Sequence, residues 1–377
     1  MKKVLLYYPP NKRSVAIETL CKAVKEAGHE LLVLTLSERG AFHEALEEMK
    51  IKTYTLVLPR KPSWKYFLKH SRSLVKFCRQ HRIDFVWSHL QEANLAALFA
   101  QPFLKARVIP FRHHAESAFY AEMGEQFGMS RNKNEQRVDK LINRLAKKIV
   151  IPSSGVWQSM EKYEGCDMSK VRLIPYIYDF TTYQKPDPGK VKTLRDEYPC
   201  NLLLIMVSRM VAAKQHMTVF ETVKKLVDEG LSLKMIVMDD GPIRPVLEEF
   251  INKNDLCDHI IMTGFRDDFV NYMAAADLLI HPSLTEASNN VVKEMGLLQK
   301  AVAVCKDVGD FNDYITEEQS GYFLDRNNLP QTIESAIRDA YAQPDKIKRF
   351  GSELRKDVLK YFSDSAENRQ RFLDLLN

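Results

Sequence analysis

Two cations follow an apolar run in the carboxy-terminal half of the chain. Arg209 and Lys214 come directly after the predicted strand 201–208. In that place both side chains could point at a diphosphate and neutralise its charge. The ordinary alternative is a pair of solvated cations, which these two residues alone do not exclude. Gly241 lies in a tight turn after the next predicted strand, 233–238, and by itself indicates only a strand-to-helix connection.

Two glutamates further along the chain could complete a nucleotide site. Glu286 follows the predicted strand 278–280, and Glu294 falls on a predicted helix that begins near Asn290. Backbone amides at the start of a helix, here those of Asn290 and Val291, can receive phosphate oxygens. A carboxylate one turn further can accept hydrogen bonds from ribose hydroxyls. The spacing of the glutamates is common by chance, so the argument depends on their position after a strand and on a helix.

The segments that must position these residues alternate between short apolar runs and longer amphipathic ones. This alternation is typical of parallel α/β sheets with helical connections. The predicted strands are 4–8, 31–36, 53–58, 85–88, 108–112 and 148–152 in the first half, and 201–208, 233–238, 260–263, 278–280 and 301–305 in the second. The clearest predicted helices are 15–27, 242–252 and 290–298.

A Pro-rich interruption at 174–188 separates the two halves, and we interpret it as a linker. Two consecutive Rossmann-like halves imply a cleft between them, since open parallel sheets bind ligands at the carboxyl ends of their strands. No Gly-x-Gly-x-x-Gly follows the first strand and the chain has no Walker A sequence, which disfavours an NAD enzyme and a P-loop kinase.

The composition is that of a globular protein with two domains. The chain has 377 residues, of which 45% are hydrophobic and 28% charged. No apolar run reaches the length of about 18 residues that a membrane span needs, and the apolar start 4–8 is too short for a signal peptide. We therefore expect a soluble cytoplasmic protein. The cysteines are scattered without zinc or disulfide spacing, and the net charge of +6 does not indicate nucleic-acid binding.

The order of four motifs resembles glycosyltransferase family 4, a group of GT-B-fold enzymes. The similarity extends over 201–324, and its motifs are Ser-Arg…Lys at 208–214, Asp-Gly-Pro at 240–242, Gly-Phe at 264–265 and Pro-Ser-x-x-Glu-x7-Glu at 282–294. The resemblance implies two doubly wound Rossmann-like domains facing across a cleft. It assigns acceptor binding to 1–178 and nucleotide-sugar binding to 179–360, with a helix in 361–377 crossing back to the first domain.

The resemblance also implies a role for each matching residue and a retaining transfer of a sugar from a UDP- or GDP-linked donor to an acceptor hydroxyl. Arg209 and Lys214 would hold the donor diphosphate, Glu286 would contact the sugar, and Glu294 would bind the ribose. The remaining donor-binding residues would be Gly241, Asn290 and Val291. The chain has no Asp-x-Asp, so no metal clamp on the diphosphate is expected. The resemblance implies no resident cofactor.

The sequence departs from the family pattern around the sugar. Ala287-Ser288-Asn289 replaces a Gly-Phe-Gly type of sequence, and Asp310 and Asp313 stand where many members have Gly and Glu. These changes concern the identity of the donor more than its binding. Two other functions remain open at this point: another GT-B nucleotide-sugar enzyme such as an epimerase, and a non-catalytic module that binds a nucleotide or a glycan.

The resemblance is weaker in the first half. His113 and His114 follow the predicted strand 108–112, which would deliver them into the cleft on opposite sides, and the alignment favours His114 as the catalytic-site histidine. His113 is the alternative for this role and a candidate acceptor-side residue. The other interpretation of the two is a pair of hydrogen-bonded structural histidines. Lys12 and Arg13, after the first strand, are the candidate contacts to the acceptor.

A basic segment at 60–82 holds eight Lys and Arg residues and no acidic one. Its apolar residues recur at helical spacing, as in helices that lie on anionic membranes. Related enzymes act on lipid-linked acceptors, so surface-polysaccharide or glycolipid assembly with peripheral membrane contact is one interpretation. A surface helix that buries its apolar face in the domain core is the other.

Overall fold

The computed structural model describes residues 1–58, 64–114, 116–126 and 129–377. The chain forms two compact units, Met1–Thr182 together with Phe362–Asn377, and Tyr183–Tyr361. Each unit is built on one sheet of parallel strands with helical connections. The α/β fold class predicted from the alternation of segments is therefore confirmed.

The first unit contains a parallel sheet. Its described strands are β1 (Lys3–Tyr7), β2 (Glu30–Thr35), β3 (Lys52–Thr55), β4 (Phe85–His89), β5 (Arg107–Phe111), β6 (Ile149–Ile151) and β7 (Val171–Leu173). Its helices up to the linker are α1 (Val15–Glu26), α2 (Ala41–Glu48), α3 (Trp64–His81), α4 (Leu90–Ala100), α5 (Glu116–Glu122), α6 (Lys133–Leu145) and α7 (Ser154–Glu164). The strand order is β3-β2-β1-β4-β5-β6-β7, so the order reverses between β1 and β4.

The second unit repeats this plan. Its strands are β8 (Leu202–Val207), β9 (Leu233–Met238), β10 (Ile260–Gly264), β11 (Leu278–His281), β12 (Ala301–Cys305) and β13 (Tyr322–Leu324). Its helices are α8 (Pro188–Glu197), α9 (His216–Asp228), α10 (Arg244–Lys253), α11 (Phe269–Ala275), α12 (Asn290–Leu297), α13 (Phe311–Tyr314), α14 (Leu329–Ala342) and α15 (Pro344–Phe362). The order β10-β9-β8-β11-β12-β13 reverses between β8 and β11, the place where open α/β sheets bind ligands.

The carboxy-terminal segment belongs to the first unit. After α15 the chain forms α16 (Ala366–Leu373), whose Phe372 joins the buried core of that unit with Leu6, Val33 and Trp87. Single turns of 3-10 helix complete the secondary structure at Gln101–Phe103, Met168–Lys170, Phe180–Thr182, Ala212–Lys214 and Asp374–Leu376.

The central strands have the composition that burial on both faces requires. Leu202 to Met206 are all at most 1% exposed, because β8 has a strand on each side and helices above and below. The prediction missed β7 and β13, which have only three residues each and too little pattern to detect. The predicted strand 53–58 was too long, since β3 pairs with β2 only as far as Thr55.

Candidate active site

The first cationic loop of the second unit follows β8, as predicted. Arg209 is exposed, and its guanidinium makes no hydrogen bond or ion pair with the described residues. Lys214 ends the turn Ala212–Lys214, and the amide of Leu284, after β11, donates to the Ala213 carbonyl at 2.9 Å. The loops after β8 and β11 are thus tied together on either side of the reversal in strand order.

Gly241 lies against this loop for a steric reason. A Cβ at Gly241 would lie 2.7 Å from the carbonyl carbon of Met210 and closer still to its oxygen. The Met210 amide also donates to the Asp240 carbonyl at 2.9 Å. Only glycine allows the turn after β9 to approach the backbone beside Arg209 so closely.

Glu286 is held by a set of donors after β11. His281 Nε2 lies 2.8 Å from Glu286 Oε1, and the side-chain amide of Asn289 donates to the same oxygen at 3.1 Å. Lys214 forms an ion pair with this carboxylate and also donates to Ser283 Oγ at 3.0 Å. Burial by itself would raise the pKa of Glu286, but the hydrogen bond from His281 and the charge of Lys214 lower it to about 2.

The ion pair therefore joins two residues for which contacts with different parts of the donor were predicted. Lys214 was assigned to the diphosphate and Glu286 to the sugar, and here they neutralise each other. A dianionic diphosphate next to Lys214 would compete with Glu286 for the same ammonium group. The loops bring both side chains into direct contact, which the linear spacing alone could not establish.

Helix α12 begins at Asn290, as predicted, and its first turn carries two of the predicted donor contacts. The Asn289 side chain caps the helix by accepting from the Val292 amide at 3.0 Å. Asn290 and Val291 are the first two helical residues, and helix N-termini in general present backbone amides to anions. Asn289 thus caps the helix and also donates to Glu286. An asparagine directly before a predicted helix is a common N-cap, and this signal could have identified Asn289 from the sequence.

Glu294 differs from Glu286 in its electrostatic setting. It is partly buried, and its carboxylate has no hydrogen-bond partner among the described residues. Burial raises its pKa to about 7. Burial and the Glu294 charge also raise the pKa of Tyr183, which places the two groups near each other. A desolvated carboxylate of this kind can accept hydrogen bonds from hydroxyl groups that replace its lost water.

The histidines of the first unit occupy different environments. His113 lies between His89 and Tyr176: its Nε2 is 3.0 Å from His89 Nδ1, and its Nδ1 bonds the Tyr176 hydroxyl. Burial lowers the pKa of His113 to about 3, so it is neutral. These hydrogen bonds are those that the structural alternative predicts for His113. The partner Tyr176 lies 63 residues away in sequence, so no local signal indicated it.

His114 lies beside a buried network of charges. Burial lowers its pKa, and the nearby Arg112 charge lowers it further. Arg112 donates to both carboxylate oxygens of Glu164, at 2.8 and 3.0 Å, and lies 3.2 Å from Asp139. Arg112 directly precedes the two histidines in the chain, and both histidines are partly buried.

Lys12 and Arg13 follow β1 and are both exposed. Arg13 forms an ion pair with Glu18 at 2.6 Å, so its charge is balanced within the first unit. Ser14 is the N-cap of α1 but its side chain makes no capping hydrogen bond, and its amide instead donates to Glu18 at 3.1 Å. Of the two predicted acceptor contacts, Lys12 is the one without a hydrogen bond or ion pair among the described residues.

The basic segment forms helix α3, and residues 60–63 of it lie outside the described residues. Leu74 and Cys78 are buried, and Ser71 donates to the Ala96 carbonyl of α4 at 2.8 Å. The helix therefore packs against the first unit through part of its apolar face, as the core alternative stated. The exposed face holds a row of cations, Lys65, Lys69, Arg72, Lys76 and Arg79.

Helices capable of crossing a bilayer were sought in the described residues, and none is both long enough and apolar enough.

Two family models match the chain, one in each of its two units. The model of the glycosyl transferases group 1 matches residues 196–357, and that of Glycosyltransferase Family 4 matches 14–181. The alpha-D-kanosaminyltransferase of Streptomyces kanamyceticus is 26% identical over 199 residues, 52% of this chain and 51% of that protein. Most of the curated relatives are matched over about half of their length.

Two longer similarities complete the comparison. The N-acetylgalactosamine-N,N'-diacetylbacillosaminyl-diphospho-undecaprenol 4-alpha-N-acetylgalactosaminyltransferase of Campylobacter jejuni is 22% identical over 302 residues, 76% of this chain and 78% of that protein. Anabaena HepE in complex with UDP has a TM-score of 0.80 at 19% identity, over 100% of this chain and 99% of that one. The fold is thus GT-B, and each half of the chain matches a glycosyltransferase family model.

Proposed function

We propose that the protein transfers a sugar from a UDP- or GDP-linked donor to an acceptor hydroxyl, with retention of the anomeric configuration. The observation that carries the proposal is the group of Arg209, Lys214, Glu286 and the first turn of α12 at the reversal in strand order of the second unit. HepE, a structural neighbour, was crystallised with UDP and with UDP-glucose.

In the proposed reaction the bond between the anomeric carbon and the diphosphate breaks, and a bond from the acceptor oxygen to that carbon forms. Arg209 and Lys214 stabilise the charge that develops on the leaving diphosphate, which replaces a metal ion in this role. The departing phosphate oxygen takes the acceptor proton. Because the nucleotide leaves from the face that the acceptor attacks, the configuration is retained.

The ion pair between Lys214 and Glu286 implies a sequence of two events when the donor binds. The diphosphate draws Lys214 away from Glu286, and the carboxylate then accepts hydrogen bonds from the sugar hydroxyls. Since the pKa of Glu286 is about 2 with Lys214 beside it, the carboxylate is ionised before this exchange. Glu294 accepts from the ribose, and the amides of Asn290 and Val291 bind phosphate oxygens.

We assign acceptor binding to the first unit, with His114 as its catalytic-site histidine and Lys12 as an acceptor contact. A glycan or a lipid-linked glycan fits this assignment, since the Campylobacter relative is named for a diphospho-undecaprenol acceptor. The exposed cations of α3, together with Leu68 at 36% exposure, support peripheral contact with an anionic membrane. Surface-polysaccharide or glycolipid assembly would need such contact.

Thermal stability with nucleotides tests the donor site. A ligand that binds only the folded state raises its stability, so UDP or GDP should raise the melting temperature of the wild-type protein. The matching nucleotide sugar should also release free nucleotide when an acceptor is added. A protein that neither nucleotide stabilises would contradict the proposal, and stabilisation without release of nucleotide from any sugar donor would favour a binding module instead.

The membrane contact needs its own test. Sedimentation with vesicles containing anionic lipid should retain the wild-type protein and lose the variant Lys69→Glu/Lys76→Glu, whose changes lie on the exposed face of α3. Neutral phosphatidylcholine vesicles serve as the control. Equal sedimentation of both proteins with anionic vesicles would contradict this role for the helix.

A further inference from the structure

The second unit contains a buried ion pair next to the sugar-side loop. Lys293 Nζ lies 2.7 Å from Asp310 Oδ2, and both side chains are 0% exposed. Lys293 directly precedes Glu294 on α12, and Asp310 follows β12. The family resemblance assigns no role to Lys293, and Asp310 is one of the positions at which the chain departs from the common pattern.

The ammonium group of Lys293 joins two loops. It donates to Ser288 Oγ at 2.9 Å and to the Asn289 carbonyl at 2.8 Å, both in the loop after β11. Ser288 Oγ in turn donates to Asp310 Oδ2 at 2.5 Å, in the loop after β12. The pair therefore attaches the segment that follows Glu286 to the segment that follows Gly309.

Gly309 brings the second of these loops against Glu286 itself. Its φ is +59°, and a Cβ there would lie 2.8 Å from the Glu286 Cβ. Any shift of the Asp310 loop is thus transmitted directly to the carboxylate assigned to the sugar. The unusual Ala287-Ser288-Asn289 sequence and the unusual Asp310 are two parts of one arrangement.

Stability does not explain this arrangement. A buried ion pair is seldom more stable than apolar residues of similar volume, because desolvation offsets the attraction. Asp310 Oδ1 is also buried without a hydrogen-bond partner among the described residues, which destabilises the folded state. What the pair does supply is a defined distance between the two loops that enclose Glu286.

We propose that Lys293 and Asp310 are positioning residues that set the sugar selectivity of the donor site. They fix Glu286 and the Ser288 segment, and so determine which sugar hydroxyls the site accepts. The inference rests on the proposed sugar transfer. It concerns the sugar rather than the nucleotide, because the pair joins the two loops that enclose Glu286, whereas the proposed diphosphate contact Arg209 follows β8.

The test removes both charges together, in the double variant Lys293→Met/Asp310→Asn, so that no buried charge is left unpaired. Binding of UDP and GDP should stay within about twofold of wild type, whereas kcat/KM for the preferred sugar donor should fall about tenfold or more. The ratio of kcat/KM between two sugars on the same nucleotide should also change by about fivefold or more. Lys293→Arg, which keeps the pair, should restore part of the wild-type ratio.

The matched control is Arg195→Met/Asp277→Asn. Arg195 and Asp277 form a two-point ion pair in the same unit, at 2.9 and 3.0 Å, outside the candidate site. This control should keep the wild-type sugar ratio. An unchanged ratio in the Lys293/Asp310 variant, or an equal change in the control, would overturn the inference.

Two further experimental results also bear on the inference. If the double variant does not fold, the variant Ser288→Ala provides the test, since it removes the bridging hydroxyl and leaves both charges in place. It should change the same sugar ratio in the same direction, and an unchanged ratio overturns the inference. If the wild-type protein transfers no sugar from any donor, the proposed function fails, and the inference fails with it. An active wild type with unresponsive variants contradicts only the inference.

Discussion

Replacing Glu294 by glutamine should stabilise the protein while it weakens the proposed nucleotide site. Burial raises the pKa of Glu294 from 4.5 to about 7, and each pKa unit corresponds to about 1.4 kcal/mol. Keeping this carboxylate ionised at pH 8 therefore costs the folded state about 3 kcal/mol. Glutamine has nearly the same shape and no charge, so Glu294→Gln removes that cost.

The sign of the stability change, and the pH range over which it appears, follow from the direction of the pKa shift of Glu294. Because the folded pKa lies above the unfolded value, the stability associated with the bound proton is complete below pH 4.5 and is lost as the pH rises through 7. The gain from Glu294→Gln should therefore be near zero at pH 4.5 and complete at pH 8. For a unit of this size, about 3 kcal/mol corresponds to a rise in melting temperature of about 6–12 °C.

Differential scanning calorimetry between pH 4.5 and 8.5 measures this dependence, and Glu286→Gln is the matched control. The pKa of Glu286 is lowered to about 2, so the ionised form stabilises the fold and the substitution should destabilise it at pH 8. The two glutamates of one motif thus give opposite signs. A melting temperature of Glu294→Gln that does not exceed wild type at pH 8, or exceeds it equally at pH 4.5, would refute the reasoning.

Four further outcomes can be measured on the same protein. Affinity of the wild type for UDP or GDP, by calorimetric titration, should fall about tenfold per pH unit below 7, and this slope should vanish in Glu294→Gln. Gly241→Ala should lose about 1–3 kcal/mol of stability, seen in urea unfolding, because its methyl group would overlap the Met210 backbone. Arg209→Met should leave stability within about 0.5 kcal/mol but weaken nucleotide binding at least tenfold, since its guanidinium is exposed and unpaired among the described residues. Arg112→Met should cost about 3–5 kcal/mol in the first unit, because it leaves buried carboxylates without their partner.

The central strands and the helix that starts at Asn290 could be predicted from the sequence. Their apolar runs are long, and each is bounded by a turn, so local pattern suffices. The short strands β7 and β13 contain too few residues for an apolar pattern to indicate a strand. The helical spacing of α3 predicted a helix but not its partner, since an amphipathic face looks the same whether it packs against α4 or a membrane.

From the sequence, site residues could be predicted only where a local segment or a family motif identifies them. Arg209, Lys214 and Glu286 were expected near one donor, but the direct ion pair between Lys214 and Glu286 joins residues 72 positions apart. The pair Lys293–Asp310 likewise spans two loops, and in sequence a lysine on an amphipathic helix is indistinguishable from a solvated one. Contacts of this kind depend on strand order, which no single segment specifies.

The central claim is that the second unit activates a sugar donor through Arg209 and Glu286. The most direct measurement is acceptor-dependent release of nucleotide from a panel of UDP- and GDP-sugars, by wild type and by Arg209→Ala and Glu286→Ala. We predict turnover of one donor by the wild type and a loss of about 100-fold or more in each variant, with both variants folded. Undiminished turnover in the two variants would contradict the account.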